Sequence, residues 1–271
     1  MSFRVVSAGR GAGWITDGLS VFTSRPGPFL SACLLVGLLS ALPVVSLAFG
    51  LLGVFFYGGL VNALHTQARG GAPVMASAFD GFSRPGAFAR LLPIAALNIA
   101  VAIVAVIALF IALGPLLMEL VENGENAKPD PQMLLAVLPK LGKLMLVLLP
   151  VGVFTGWITL LSVPRAMLDE IPGITAIAEA LPAIFANLGA LLVNLLCLIV
   201  IIVVLTVLLM IPMMVVGVLS TANQALGTLL QIPILAVFSA AIFALYCSMM
   251  YQAWREIFGE SQAPQTSNFA A

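Results

Sequence analysis

The sequence predicts an all-α integral membrane protein, with six transmembrane helices paired as three hairpins and a short cytoplasmic interfacial helix before each hairpin. Three observations carry that expectation. Of 271 residues, 62% are hydrophobic and 8% are charged, and mean hydropathy is +1.16; ordinary soluble domains carry about 25% charged residues. Segments 94–113 and 188–210 hold no charge, which meets the roughly 20 apolar residues a helix needs to cross about 30 Å of hydrocarbon. These runs are continuous, without the period-two alternation of a barrel strand. Finally, the basic residues divide by type: Arg4, Arg10, Arg25, Arg69, Arg84, Arg90, Arg165 and Arg255 fall in segments that share one face, and Lys128, Lys140 and Lys143 fall on the other. That bias follows the positive-inside rule and sets both termini in the cytoplasm.

Residues 1–27 contain Arg4, Arg10, Asp17 and Arg25 and lack the continuous apolar core of a signal peptide, so the first apolar run is expected to remain as a span. The spans are predicted at about 28–47, 50–67, 91–117, 141–163, 188–218 and 228–254. Pro43, Ser46 and Gly50 mark the first turn, because proline and glycine interrupt helices. A re-entrant hairpin is the competing reading there, and both place 1–27 and 68–90 on one side. Glu119–Lys143 is the polar loop of the far side, with Lys140 and Lys143 placed to snorkel toward headgroups. A single membrane domain over 1–259 is expected, with hairpin units at about 9–70, 74–166 and 174–257 and a flexible tail at 260–271.

Local motifs suggest that the unit is used three times. Ser24-Arg25-Pro26-Gly27 enters the first hairpin, Ser83-Arg84-Pro85-Gly86 the second, and the degenerate Ala186-Asn187-Leu188-Gly189 the third. Phe22, Phe82 and Phe185 precede them. The exits are Gln67-Ala68-Arg69, Arg165-Ala166 and Gln252-Ala253-Trp254-Arg255. Such periods fix an architecture. Before each hairpin, an amphipathic stretch (Ile15, Leu19 and Phe22; Met75, Phe79 and Phe82; Ile177, Leu181 and Phe185) suits a helix lying in the interface, or one packed on the end of the bundle. Trp14, Trp157 and Trp254 suggest an interfacial belt, Trp157 least well.

Chemistry-bearing motifs are sparse. Gly9-Arg10-Gly11 precedes a predicted helix and offers backbone N–H groups and a guanidinium to a lipid headgroup; a flexible entry to that helix is the plainer reading. Arg25 and Arg84, in the entry motifs, are further headgroup candidates. No strand precedes the glycines and no Lys-Ser/Thr follows, so neither a dinucleotide fingerprint nor a P-loop is present. His65 stands alone as the single histidine, without the ligand cluster or nucleophile that metal or triad chemistry requires. Cys33, Cys197 and Cys247 all lie in spans, which suits packing and excludes a disulfide framework. Asp17, Asp80, Asp169, Glu170 and Glu179 lie near arginines and suit ion pairs that tie one unit to the next. No ionisable group sits near the centre of a span, which weighs against pumps and proton-coupled carriers. Asn98, Asn194 and Asn223 are the intramembrane polar candidates, as interhelical hydrogen bonds or as the lining of a polar cavity. A net charge of zero leaves no field for nucleic acid.

Val6-Ser7-Ala8-Gly9-Arg10-Gly11, followed by Trp14-Ile15, Asp17-Gly18 and Phe22, resembles the opening of an uncharacterised family of proteobacterial inner-membrane proteins. The likeness extends to the six-span layout, with specific residues confined to about the first 27. More remotely, the plan is similar to the membrane domain found beside some glycerophosphodiester phosphodiesterases, and no catalytic residue carries over. The resemblance implies a bacterial inner membrane and no activity. The function expected is therefore non-enzymatic, without catalytic, metal or cofactor residues: an interaction or lipid-associated envelope component, with membrane lipids and a protein partner or second copy as candidate partners. The alternative is a transporter or channel for a small or lipidic substrate through the hairpin interfaces.

Overall fold

The computed structural model describes residues 3–24, 26–123 and 131–259, and among them the chain is helical with no strand. The helices are α1 (Arg10–Ser24), α2 (Pro26–Ala41), α3 (Pro43–Ala68), a 3₁₀ turn (Met75–Phe79) leading into α4 (Asp80–Ser83), α5 (Ala87–Asn123), α6 (Pro131–Leu168), α7 (Gly173–Ala186), α8 (Leu188–Ala222) and α9 (Gln224–Ile257). Among the described residues, four segments are long and apolar enough to cross a membrane: Ala87–Gly114, Val137–Leu168, Leu188–Ala222 and Gln224–Ile257. A fifth arises if α1 and α2, bent by 108° at their junction, count as one broken span. The first predicted pair departs most from expectation. With 16 residues, α2 is about 24 Å long at 1.5 Å per residue. The chain then breaks at Leu42, and Pro43 opens α3 in the first-turn position that proline favours. Ser46 and Gly50, expected in a turn, lie within that 26-residue helix. Prolines interior to α5, α6, α8 and α9 leave those helices continuous, and a single non-helical residue, Asn223, separates α8 from α9.

The chain divides into two compact units, Met1–Ile94 with Ile158–Ala271, and Ala95–Trp157. The second holds the distal parts of α5 and α6. Its Ile103, Val104, Phe110, Ile111, Leu146 and Val147 are exposed, as side chains facing lipid are.

In the first unit α2 and α8 pack along α9, α1 lies against α8 and α9, and α3 contacts α2, α4 and α9. Without a hydrophobic drive between helices in lipid, small residues that permit close backbone approach decide where they cross. A Cβ on Gly37 of α2 would meet Ala236 O and lie 2.9 Å from Ala240 N of α9. The amphipathic segments dock in the same manner. Gly11 and Gly18 of α1 press on Ala190–Asn194 of α8 and on Ser248 of α9; Gly81 of α4 presses on Phe55 of α3; Gly173 of α7 presses on Arg90 of α5.

The two faces of these segments therefore differ from the simple interfacial picture. On α7, Ala176, Ala180, Ala183 and Ile184 are buried against the unit, whereas Phe185 is 67% exposed and Ile174 71% exposed. On α1 the expected apolar stripe is split. Ile15 joins a core cluster with Leu245 and Met249, while Leu19 stays exposed. Trp14, expected in an interfacial belt, is wholly buried and its Nε1 donates to Glu256 Oε2 at 2.9 Å. A buried acceptor within reach of the indole N–H overrides its preference for the headgroup zone.

Candidate functional site

The ends of α3, α6 and α9 carry most of the polar chemistry of the first unit. Polar ties join each of these three ends to an amphipathic segment. Asn62 of α3 donates through Nδ2 to Asp80 Oδ2 at 2.7 Å and accepts at Oδ1 from Arg84 Nη1 at 2.9 Å. Arg165 of α6 donates to Asp169 Oδ2 at 2.7 Å and pairs with Glu179 of α7. Glu256 of α9 accepts from Arg10 Nε at 3.1 Å, pairs with Arg10 Nη2, and accepts from Trp14 of α1. Arg10 also reaches Asp17 at 2.6 Å. Hydrogen bonds to Glu256, then to Asp17, push the Arg10 guanidinium further up its already high range. These charge-assisted contacts are the stronger class of hydrogen bond.

The segment before α1 is fixed to the same end. Asn187, between α7 and α8, accepts from Val6 N at 2.8 Å and donates to Arg4 O at 3.0 Å. Arg4 N donates to Ile257 O at 2.8 Å, and its side chain reaches Gly259 O.

Among these ends lies a cleft of about 600 Å³ lined by Asn62, His65, Thr66, Arg69, Gly71, Arg84, Leu168, Asp169 and Trp254. That is within the usual range for small-molecule and cofactor sites. Its α3 wall ends in a tight cap. Gly70 has φ +84°, its N–H donates to Gln67 O at 2.9 Å, and Gly71 N donates to Thr66 O at 3.0 Å. This Schellman arrangement requires a left-handed residue at Gly70, and it leaves Arg69 exposed beside the cleft. The opposite wall is set by α6. Asp169 Oδ2 accepts from both Arg165 Nη1 and Trp254 Nε1, each at 2.7 Å. Glu170, next in the chain, holds φ 57° and reaches Arg84 Nη2 at 2.9 Å. A non-glycine residue in that region costs roughly 1–2 kcal/mol, and the ion pair offsets part of it. His65 stacks edge-on against Tyr251 and Trp254, with centroids 5.8 and 5.7 Å away. His65 Nδ1 is buried without a hydrogen-bond partner among the described residues.

The residues singled out from sequence are not gathered in one place. Gly9 is exposed with open space around it. Its carbonyl accepts from Ala12 N and Gly13 N, while Arg10 N and Gly11 N donate to Ser7 O and Ala8 O, so these amides close a turn. Gly11 is packed on α8, and Arg10 is engaged by two carboxylates. Arg25 lies outside the described residues. Of the headgroup candidates among the described residues, Arg84 alone reaches the cleft, which His65 and Asp169 also line. Asn194 is buried, donating to Gly11 O at 3.0 Å and contacting Met249 Sδ. Asn223 caps α9, accepting from Leu226 N at 3.2 Å. Asn98 lies in the other compact unit.

Sequence reasoning passed over Arg69, Asp169 and Trp254 as one site. Their common signal was the recurrent exit motif, which already contained Arg69 and Trp254. Among the described residues no group of three His, Cys, Asp or Glu side chains is arranged to hold a metal ion. Comparison with known protein families, curated proteins and solved structures returns no match.

Proposed function

We propose that this is a non-enzymatic, lipid-associated component of a bacterial inner membrane, whose cleft holds a lipid headgroup. In this reading the chain crosses the bilayer six times as three hairpins, with both termini cytoplasmic and an interfacial segment before each hairpin. The proteobacterial family suggested by the opening residues belongs to the same proposal. The cleft carries the functional part. It sets exposed Arg69 and half-buried Arg84 beside His65 and Trp254, a few residues from the lipid-exposed faces of helices.

The order of the docking contacts supports the repeat. The second interfacial segment packs on the first hairpin through Gly81 and Asp80, the third on the second through Gly173 and Glu179, and the first on the third through Gly18, Arg10 and Trp14. A unit used three times produces this cyclic order of contacts. Outward Met75, Phe79, Ile174 and Phe185 suit segments seated at the bilayer surface. The local attachments of Asn194 and Asn223 favour this reading over a carrier with those residues lining its path.

Lipid retention tests it. Native mass spectrometry of the intact protein extracted in mild detergent should show bound phospholipid that is lost when Arg69→Gln and Arg84→Gln are combined. Undiminished retention in that variant would sink the headgroup assignment.

A further inference from the structure

We infer that the cleft selects a ligand bearing both a phosphate and an ammonium group, a step that rests on the headgroup reading and specifies its chemistry. The lining is divided by charge. Arg69 and Arg84 bound one part, together with the Thr66 hydroxyl and the Asn62 amide. Arginine offers a planar fork that matches phosphate oxygens. Arg84 already donates from Nη1 to Asn62 and from Nη2 to Glu170, so exposed Arg69 supplies the adaptable donor. A site for phosphate alone would need no more than this.

The other part is built for a cation. Asp169 takes both of its short hydrogen bonds, from Arg165 and Trp254, on Oδ2. Its carboxylate is held in one orientation with Oδ1 left for a further donor. Trp254 is fixed by the same bond and lies against His65 and Tyr251. A carboxylate beside an indole ring is the combination that attracts an ammonium group, through charge and through the ring quadrupole. Glu170 adds a second carboxylate nearby, held in a left-handed backbone conformation. Strain retained at a site is a pointer to its use. Arg84 is paired with Glu170 and Arg165 with Asp169, so a simple anion meets Arg69 beside carboxylates and gains little there, whereas a zwitterion meets a partner at each end.

The same chemistry occurs in an aminophospholipid headgroup and in a free aminoalkyl phosphate, and the experiment separates them. The intact protein in dodecylmaltoside micelles is titrated with phosphatidylethanolamine, phosphatidylglycerol, phosphoethanolamine, N-acetylphosphoethanolamine and inorganic phosphate, with melting midpoint and tryptophan emission read together. Phosphatidylethanolamine should bind at least tenfold more tightly than phosphatidylglycerol, and phosphoethanolamine at least tenfold more tightly than its N-acetyl derivative. Arg69→Gln should weaken every phosphate-bearing ligand about tenfold, the worth of one charged hydrogen bond. Asp169→Asn should abolish the preference for the amine and strengthen phosphatidylglycerol binding, because a carboxylate that opposes the anion is removed. Should Asp169→Asn fail to fold, the N-acetyl comparison on the wild-type protein still decides the matter. Phosphatidylglycerol binding as tightly as phosphatidylethanolamine overturns the selection and leaves the headgroup reading intact. Binding of phosphoethanolamine without either lipid supports the paired recognition and overturns the lipid source. No binding by any of the five overturns both.

Discussion

The docking of α4 on α3 rests on the absence of one methyl group, which makes Gly81→Ala a quantitative test of the packing argument. A Cβ at Gly81 would point at Phe55 O and lie 2.8 Å from Phe55 C and 3.0 Å from Phe55 Cα. All three neighbours are backbone, so no side chain can rotate aside. Ordinary contact begins at 3.4 Å, so α4 must retreat by about 0.6 Å or more, in an interior that deforms poorly. Overpacking of this kind costs about 1–3 kcal/mol, and the better helical preference of alanine returns about 0.5–1. A net loss of up to about 2.5 kcal/mol follows, or up to about 10 °C in melting midpoint at roughly 2–4 °C per kcal/mol for a chain near this size. Gly217→Ala in α8 is the matched control, since nothing lies within 4 Å of its Cβ position; it should be neutral or slightly stabilising. Midpoints are read from tryptophan emission in detergent at a fixed scan rate. Because α4 carries Asp80 and leads to Arg84, the same variant should also retain less lipid. A Gly81→Ala midpoint equal to that of Gly217→Ala would refute the reasoning.

Three further outcomes follow from the same geometry. Glu170→Gly and Glu170→Ala both remove the ion pair with Arg84, but only glycine relieves the positive φ, so the glycine variant should melt higher by the equivalent of about 1–2 kcal/mol; equal midpoints would remove the strain from consideration. Glu256→Gln leaves Arg10 with Asp17 alone and Trp14 facing a neutral amide, at a cost of about 2 kcal/mol, and should make the bond after Arg10 cleavable by trypsin in the otherwise folded protein; unchanged digestion counts against α1 being latched there. A circular permutant that joins Gly259 to Arg4 through a short linker and opens between Gly71 and Ala72 should lose no more than about 1 kcal/mol, because Arg4 and Gly259 already meet; failure to fold would contradict that closeness.

The helical class and four of the six expected apolar spans were legible because composition and run length act at the scale of whole segments. The first helical pair was not. Pro43 was read as part of a turn, yet proline tolerates a helix start as well as it breaks an interior, and only the short α2 reveals which applies. The entry motif illustrates the same limit. Arg84-Pro85-Gly86-Ala87 forms a turn with Gly86 at φ +74° and Ala87 N donating to Arg84 O at 3.0 Å, whereas Pro26-Gly27 already lies in α2. One tetrapeptide therefore serves two local structures, and tertiary docking decides between them. Gly11 was misleading for a related reason: glycine before a helix suits an anion cradle and equally suits close packing, and no sequence feature reports that α8 lies 183 residues away in contact with it. The cleft was half visible, through Arg84 and the exit motifs. Asp169 and Trp254 became a site only once α6 and α9 ended side by side.

The arginine partition takes on a second meaning in this light. A positive-inside bias by itself asks only that basic residues remain on one side, with their heads in water. Here Arg10 and Arg165 each meet a carboxylate on another helix, Glu256 and Glu179, and Arg84 meets Glu170 in the turn after α6. Exposed ion pairs contribute about 0–1 kcal/mol, but the Arg165–Glu179 pair is more than four-fifths buried on both sides. Breaking such a pair from one side leaves an uncompensated charge and costs far more than the pair contributes. Glycine contacts supply closeness without direction, since any small residue admits a neighbouring backbone. The ion pairs supply direction, because each arginine accepts only a segment that brings an acid to the right turn. Glu256 and Glu179 therefore act as addresses that match α1 to α9 and α7 to α6. An exchange of charge across one tie tests this: Arg165→Glu alone should destabilise strongly, and Arg165→Glu with Glu179→Arg should recover a substantial part of the loss. Recovery would not be complete, because Asp169 would then face the new glutamate at 2.7 Å geometry, and adding Asp169→Asn should restore more. Absence of any recovery in the double variant would mean that the pair is merely tolerated, and that the glycines alone set the order of the segments.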